Sequence, residues 1–229
     1  MLFSRAIQVI RAPRRTFESV ISNPQWAGVL LLSFAISAAD GTALLSTETG
    51  RLALVDQWVN STEAFGRTVD DGLYDRFDAL SARGPAVAAG LAALNGPILT
   101  LGAALLLHAF VSRGERKASF KEVLAVSAYA GVLLALRQVI AAPLRYARES
   151  LAAPTTLGIA FPMLEEGSPL ARLLWLVDVM VVWWLIVLAI GASVLYGRRV
   201  RPLAVSFLIA YMLGAVLLAG VMTFLGGTA

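Results

Sequence analysis

Five apolar segments, near residues 26–45, 85–111, 122–143, 173–196 and 202–225, are each long enough to cross a bilayer, whose hydrocarbon core of ~30 Å takes ~20 helical residues. Such a chain folds with its spans as helices, because hydrocarbon offers an unpaired peptide group no partner. The expected fold is an all-α membrane protein, a bundle of five transmembrane helices. Residues 1–25 form N-terminal interfacial helices, and residues 26–229 one five-span domain with external loops at 46–84 and 144–172. Nothing ahead of Ser22 resembles a removable signal peptide, so the first span is expected to serve as an uncleaved anchor.

Charge sets the expected orientation. The chain is 58% apolar and 15% charged with a net charge of +4, but its basic residues gather at the ends of apolar segments rather than on one solvated face. They therefore read as topology signals, and nucleic acid is not an expected partner. The cytoplasmic basic face is expected to comprise Arg11, Arg14 and Arg15, then Arg113, Arg116 and Lys117, then Arg198, Arg199 and Arg201. The opposite loops carry acids such as Asp70, Asp71, Asp75, Glu165 and Glu166. The N-terminus is thus expected inside a bacterial cytoplasmic (inner) membrane and the C-terminus outside.

Two stretches outside the spans are amphipathic. Residues 2–21 alternate apolar side chains with arginines and break at Pro13, as two short helices facing anionic lipid would. Residues 46–84 place Leu52, Val55, Trp58, Phe65, Leu73, Phe77 and Leu80 near a helical period, which predicts an amphipathic helix or hairpin on the outer surface, with Gly66 and Gly72 against a single unbroken helix. The loop 144–172 holds Pro154, Pro162 and Pro169 and reads as an irregular excursion whose stretch Leu157–Leu164 is apolar enough to dip into the interface. Small residues, among them Gly90, Gly96 and Gly102 in the second span and Gly191 and Gly214 later, predict close helix packing.

Four polar residues lie within the spans: Asp40, Asn95, Arg137 and Asp178. Counted at ~1.5 Å per residue from the span boundaries, all four fall at depths of roughly 16–21 Å, which predicts one intramembrane polar layer. Two carboxylates beside one guanidinium leave an excess negative charge. A static lock between helices, a proton- or substrate-responsive site, and an Asp40 that snorkels to the outer interface remain the alternatives. His108, the sole histidine, has no companion at metal-ligand spacing, and Ser127, Ser193 and Ser206 lack a nucleophile elbow. No catalytic residue, metal or cofactor is expected, and the chain is read as non-enzymatic.

Three segments carry a family resemblance: RAPRRTFESVISNPQW at 11–26, HAFVSRGERKASFKEVLAVSAYAG at 108–131, and LLWLVDVMVVWWLIVLAIGASVLYG at 173–197. Together they resemble the bacterial type of the Yip family, the Ypt/Rab-interacting five-span membrane proteins. The resemblance implies five spans, a cytoplasmic N-terminus and, in eukaryotic relatives, binding of prenylated GTPases. No counterpart of the Asp-Leu-Tyr-Gly-Pro segment of those relatives precedes the first span, so GTPase binding is not carried over. The resulting expectation is a scaffold or regulator of membrane organisation or of a membrane complex. Its partners would be lipids with anionic headgroups and a membrane or cytoplasmic protein, with self-association left open; the alternative is a transporter or lipid-handling protein built on the polar layer.

Overall fold

The structure is a computed structural model that describes residues 2–111, 118–148, 151, 153–165 and 168–226. The described residues are helical with no named strand: α1 (Leu2–Arg11), α2 (Pro13–Ser22), α3 (Ala27–Leu45), α4 (Glu48–Ala64), α5 (Asp71–Ser81), α6 (Gly84–Leu106), α7 (Phe120–Ala130), α8 (Val132–Arg148), α9 (Pro169–Leu176), α10 (Val179–Tyr196) and α11 (Val200–Gly226). Among them, four stretches are long and apolar enough to cross a membrane: α3, Phe120–Arg148, α10 and Val200–Leu225, joined by a shorter apolar run, Ile98–Ala109. The chain groups into two compact units. One comprises Met1–Ser37, Leu91–Arg137 and Met180–Ile209, the other Ala38–Gly90, Gln138–Val179 and Ala210–Ala229.

In the first unit α7 is the central helix. A capping box starts it: Ser119 Oγ accepts the Glu122 N–H at 3.3 Å, while Glu122 Oε2 accepts the Ser119 N–H at 2.7 Å. Every residue from Val123 to Ala130 is buried, as in a helix surrounded by protein. Against it pack α1 and α2. Pro13 opens α2 where its missing N–H costs nothing, and Phe17, Val20 and Ile21 sit in the core with Val9 of α1. The apolar side of this amphipathic pair is thus covered by the protein's own helices, while Arg11, Arg14 and Arg15 point outward.

The same core holds the C-terminal half of α10, Val187 to Tyr196. Gly191 lies where α10 meets α2 and α7: a Cβ there would sit 2.5 Å from Val126 Cγ1 and 3.1 Å from Phe17 Cζ. Below it, Tyr196 is buried and its hydroxyl donates to the carbonyl of Leu107 at 3.3 Å. Leu107 opens the π-helical turn Leu107–Val111 that follows α6. Gly197, at φ 67°, closes α10, with the Arg198 N–H returning to the Ser193 carbonyl at 3.2 Å.

The small residues behave differently elsewhere. Within their own units Gly90, Gly102 and Gly214 have open space where a side chain would go, so the close packing expected at them is not seen there. Gly191, by contrast, is pressed by the side chains of Val126 and Phe17.

The second unit contains the hairpin α4–α5. Thr47 caps α4 through the Gly50 N–H at 3.0 Å, and Asp70 caps α5 through the Leu73 N–H at 2.8 Å. Gly66, at φ 74°, makes the turn out of α4. Trp58 and Phe77 then meet with ring centroids 5.6 Å apart. This is the helical hairpin that the apolar period and the two glycines predict.

Two of the apolar segments depart from the expected spans. The third runs longer, through Phe120–Arg148, because Pro143 sits inside α8 rather than ending it. The fourth is interrupted: α9 ends at Leu176, and the continuous helix begins only at Val179.

Replacing Gly191 with valine should lower the thermal midpoint in detergent, by about 1–3 kcal/mol of lost stability for an overpacked core, and Phe17→Leu in the same chain should recover part of it. Thermal unfolding followed by circular dichroism checks both.

Candidate functional site

The interruption of α9–α10 is where polar chemistry concentrates in the second unit. Ser168 caps α9 through the Ala171 N–H at 3.2 Å, and Pro169 begins it. The helix stops because Val177 adopts an extended backbone, φ −91° and ψ 110°. Asp178, a residue type that favours non-helical backbone just before a helix, then stands immediately ahead of α10.

Protein groups take up the Leu176 and Val177 carbonyls and the Asp178 and Val179 N–H groups at this break. The Tyr211 hydroxyl, from α11, accepts the Asp178 N–H at 3.0 Å and donates to the Leu176 carbonyl at 2.8 Å. Residues 155–157 run alongside as a one-rung antiparallel bridge: Leu157 N–H donates to the Val177 carbonyl at 2.8 Å, and Val179 N–H to the Thr155 carbonyl at 3.0 Å. The Thr155 hydroxyl donates to Asp178 Oδ2 at 2.7 Å, and Asp178 is only 4% exposed.

A second polar cluster in this unit joins α3 to α8. Arg145 Nη2 donates to Asp40 Oδ2 at 2.5 Å and to Gln138 Oε1 at 2.9 Å. The two charged side chains are 8% and 15% exposed, Asp40 the more buried. Gln138 and Arg145 stand two turns apart on one face of α8. The Arg145 Nε is buried without a hydrogen-bond partner. A carboxylate, an amide and a guanidinium so arranged hold two helices together and concentrate charge in a dry setting.

Of the four polar residues read from the sequence, Asp40 and Asp178 therefore belong to one unit, while Arg137 and Asn95 belong to the other. Asp40 meets Arg145, eight residues beyond Arg137 in the chain. Arg137 is half-buried, and the side chain of Asn95 lies outside the described residues. Of the basic face, Arg11, Arg14, Arg15, Arg198, Arg199 and Arg201 are exposed and share the first unit; Arg14 makes a surface pair with Glu18 at 3.6 Å. Arg113, Arg116 and Lys117 lie outside the described residues. His108 stands edge-on to Phe120, centroids 6.0 Å apart, and no cluster of metal-ligating side chains occurs among the described residues.

Sequence reasoning missed Arg145, Gln138, Thr155 and Tyr211. Arg145 falls within the loop expected at 144–172; the seven-residue spacing back to Gln138 is the available signal. Tyr211 left a weaker one, a phenol inside an apolar run whose hydroxyl needs a partner.

Long apolar helices with outward-facing leucines on α6 and α11, and polar groups gathered at a helix break, define a multi-pass α-helical membrane protein. The Yip1 domain model matches residues 7–224, and the chain belongs to that family. No curated protein and no solved structure was found to match it.

Tyr211→Phe removes one hydroxyl but strands a donor and an acceptor, and should cost about 1–3 kcal/mol, read as a lower unfolding midpoint in detergent. Asp40→Asn or Arg145→Gln should each cost about 3–5 kcal/mol by leaving a buried charge alone. The double variant Asp40→Leu/Arg145→Met should be more stable than either single one in the same assay.

Proposed function

We propose that this Yip1-family protein is a non-enzymatic scaffold or regulator in a bacterial inner membrane, with five spans, the N-terminus in the cytoplasm and the C-terminus outside. The observation that carries the reading is the N-terminal helix pair: α1 and α2 are fixed to the core by Val9, Phe17 and Val20, while Arg11, Arg14 and Arg15 stay exposed. A pair that merely floated on lipid would keep its apolar side for the bilayer. Fixed as it is, the pair offers arginines at set positions, supported by Arg198, Arg199 and Arg201 of the same unit. Such a surface suits a docked protein or a layer of anionic headgroups, each held by charge at the membrane surface.

The five-span count adds α6 to the four helices that qualify by length and composition. The second reading, a transporter or lipid-handling protein, is favoured by one observation, the broken helix with buried Asp178, since interrupted helices at membrane depth commonly line ion and substrate paths. In that reading Asp40, Asn95, Arg137 and Asp178 form the polar layer.

Single-cysteine labelling at residue 4 and residue 225 should find the two ends on opposite sides of the inner membrane; both on one side overturns the topology. In cross-linked native membranes, one stoichiometric protein should co-purify and its recovery should fall about tenfold in the variant Arg11→Glu/Arg14→Glu/Arg15→Glu, as surface charge attraction predicts. Unchanged recovery overturns the docking role. Loss of a co-purifying lipid in Asp178→Asn, with the protein partner absent from wild type, would move the assignment to lipid handling.

A further inference from the structure

The break between α9 and α10 lies level with the middle of α11. Tyr211, whose hydroxyl bonds both sides of the break, is the twelfth of the 27 residues of that helix. At about 1.5 Å per residue α11 is about 40 Å long, so no placement of a ~30 Å hydrocarbon core along it leaves Tyr211 outside. Nearer the start of α9, the Arg172 guanidinium donates to the carbonyl of Met222, eleven residues further along α11. The helix α9 therefore runs in from the level of the end of α11 and stops part-way across.

Helical carbonyls point along the axis toward the C-terminal end, so those in the last turn of α9 are directed at the break. Three of the five from Leu173 to Val177 have donors there: the Val177 N–H serves Leu173, the Tyr211 hydroxyl Leu176, and the Leu157 N–H Val177. In a continuous helix the N–H groups of Asp178 and Val179 would serve Leu174 and Trp175. Here they turn instead to the Tyr211 hydroxyl and the Thr155 carbonyl. Two carbonyls are thus left without a donor among the described residues, at a depth where lipid offers none.

Beside them stand the Asp178 carboxylate, 4% exposed, and the Thr155 hydroxyl bonded to it at 2.7 Å. All of these groups present oxygen, and the end of α9 adds the negative pole of its dipole. Oxygen donors suit a hard cation, and one carboxylate among neutral carbonyls matches a single positive charge. Water would serve the carbonyls but bring no charge to the carboxylate and the dipole.

We infer that the α9–α10 break binds one alkali-metal cation through the Leu174 and Trp175 carbonyls and the Asp178 carboxylate, with Thr155 holding the carboxylate in place. A site built on backbone carbonyls needs no cluster of metal-ligating side chains, and the C-terminal ends of broken membrane helices hold sodium in this way. The site bears on the transporter reading, where the cation is a coupling ion, but does not depend on it.

Dialysis of the full chain in detergent against radioactive sodium, and separately against rubidium as a potassium-sized ion, should show saturable binding of about one ion per chain to at least one of them. Asp178→Asn, once its circular dichroism matches wild type, should weaken that binding at least about tenfold. No saturable binding of either ion to wild type means that the carbonyls are only hydrated, and unchanged binding in the folded variant puts the ion elsewhere. Either result overturns the site. Should the variant not fold, the wild-type carboxyl is read directly: a carbodiimide that modifies buried carboxyls should label Asp178 at least about fivefold less with the ion present than in N-methylglucamine chloride. Equal labelling overturns the site as well. These readouts involve neither a partner protein nor a transported substrate, so their failure leaves the scaffold reading standing.

Discussion

Hydrocarbon gives a peptide group nothing to bond with, and the structure is arranged around that deficiency at the place where α9 stops and α10 starts. In a soluble protein, water would complete the break. Here one tyrosine hydroxyl stands in for it, accepting from Asp178 and donating to Leu176, and a short extended segment takes the Val177 carbonyl and the Val179 N–H. A hydroxyl has one proton and two lone pairs, so it can serve a stranded N–H and a stranded carbonyl together. The irregular loop is thereby part of the membrane domain's own bonding rather than an appendage to it.

The first unit meets a different requirement. Its central helix α7 is buried all round, and space for the surrounding helices comes from the absence of a side chain at Gly191. Phe17 uses that space. As a result the amphipathic N-terminal pair is an integral part of the core, with its arginines displayed by packing. The ion pair of Asp40 with Arg145 does for α3 and α8 what apolar packing does here, with Gln138 sharing the guanidinium.

The helical class, the hairpin after the first span and the presence of polar side chains in apolar surroundings were legible in the sequence. Apolar runs and capping residues are local signals: Ser119 with Glu122, and Asp70 ahead of α5, announce their helix starts. The break at Val177–Asp178 was not legible, because hydropathy averages over it and the residues that stabilise it, Tyr211 and Thr155, are remote in the chain. Arg145 lay beyond the expected end of the third span at residue 143, and α8 runs on through Pro143 to Arg148. Small residues misled in the other direction. Gly102 and Gly191 look alike in a sequence, and only the neighbours supplied by the fold distinguish a packed glycine from an open one.

The unequal lengths of the last two helices have a mechanical consequence. At about 1.5 Å per residue, the 18 residues of α10 rise about 27 Å and the 27 residues of α11 about 40 Å. A single bilayer of ~30 Å cannot match both upright. The longer helix must lean or emerge, whereas the shorter falls short of the core alone and is continued across the junction at Val177–Asp178 by α9. Hydrophobic mismatch is therefore felt at that junction, and bilayers of different thickness will strain this protein unequally.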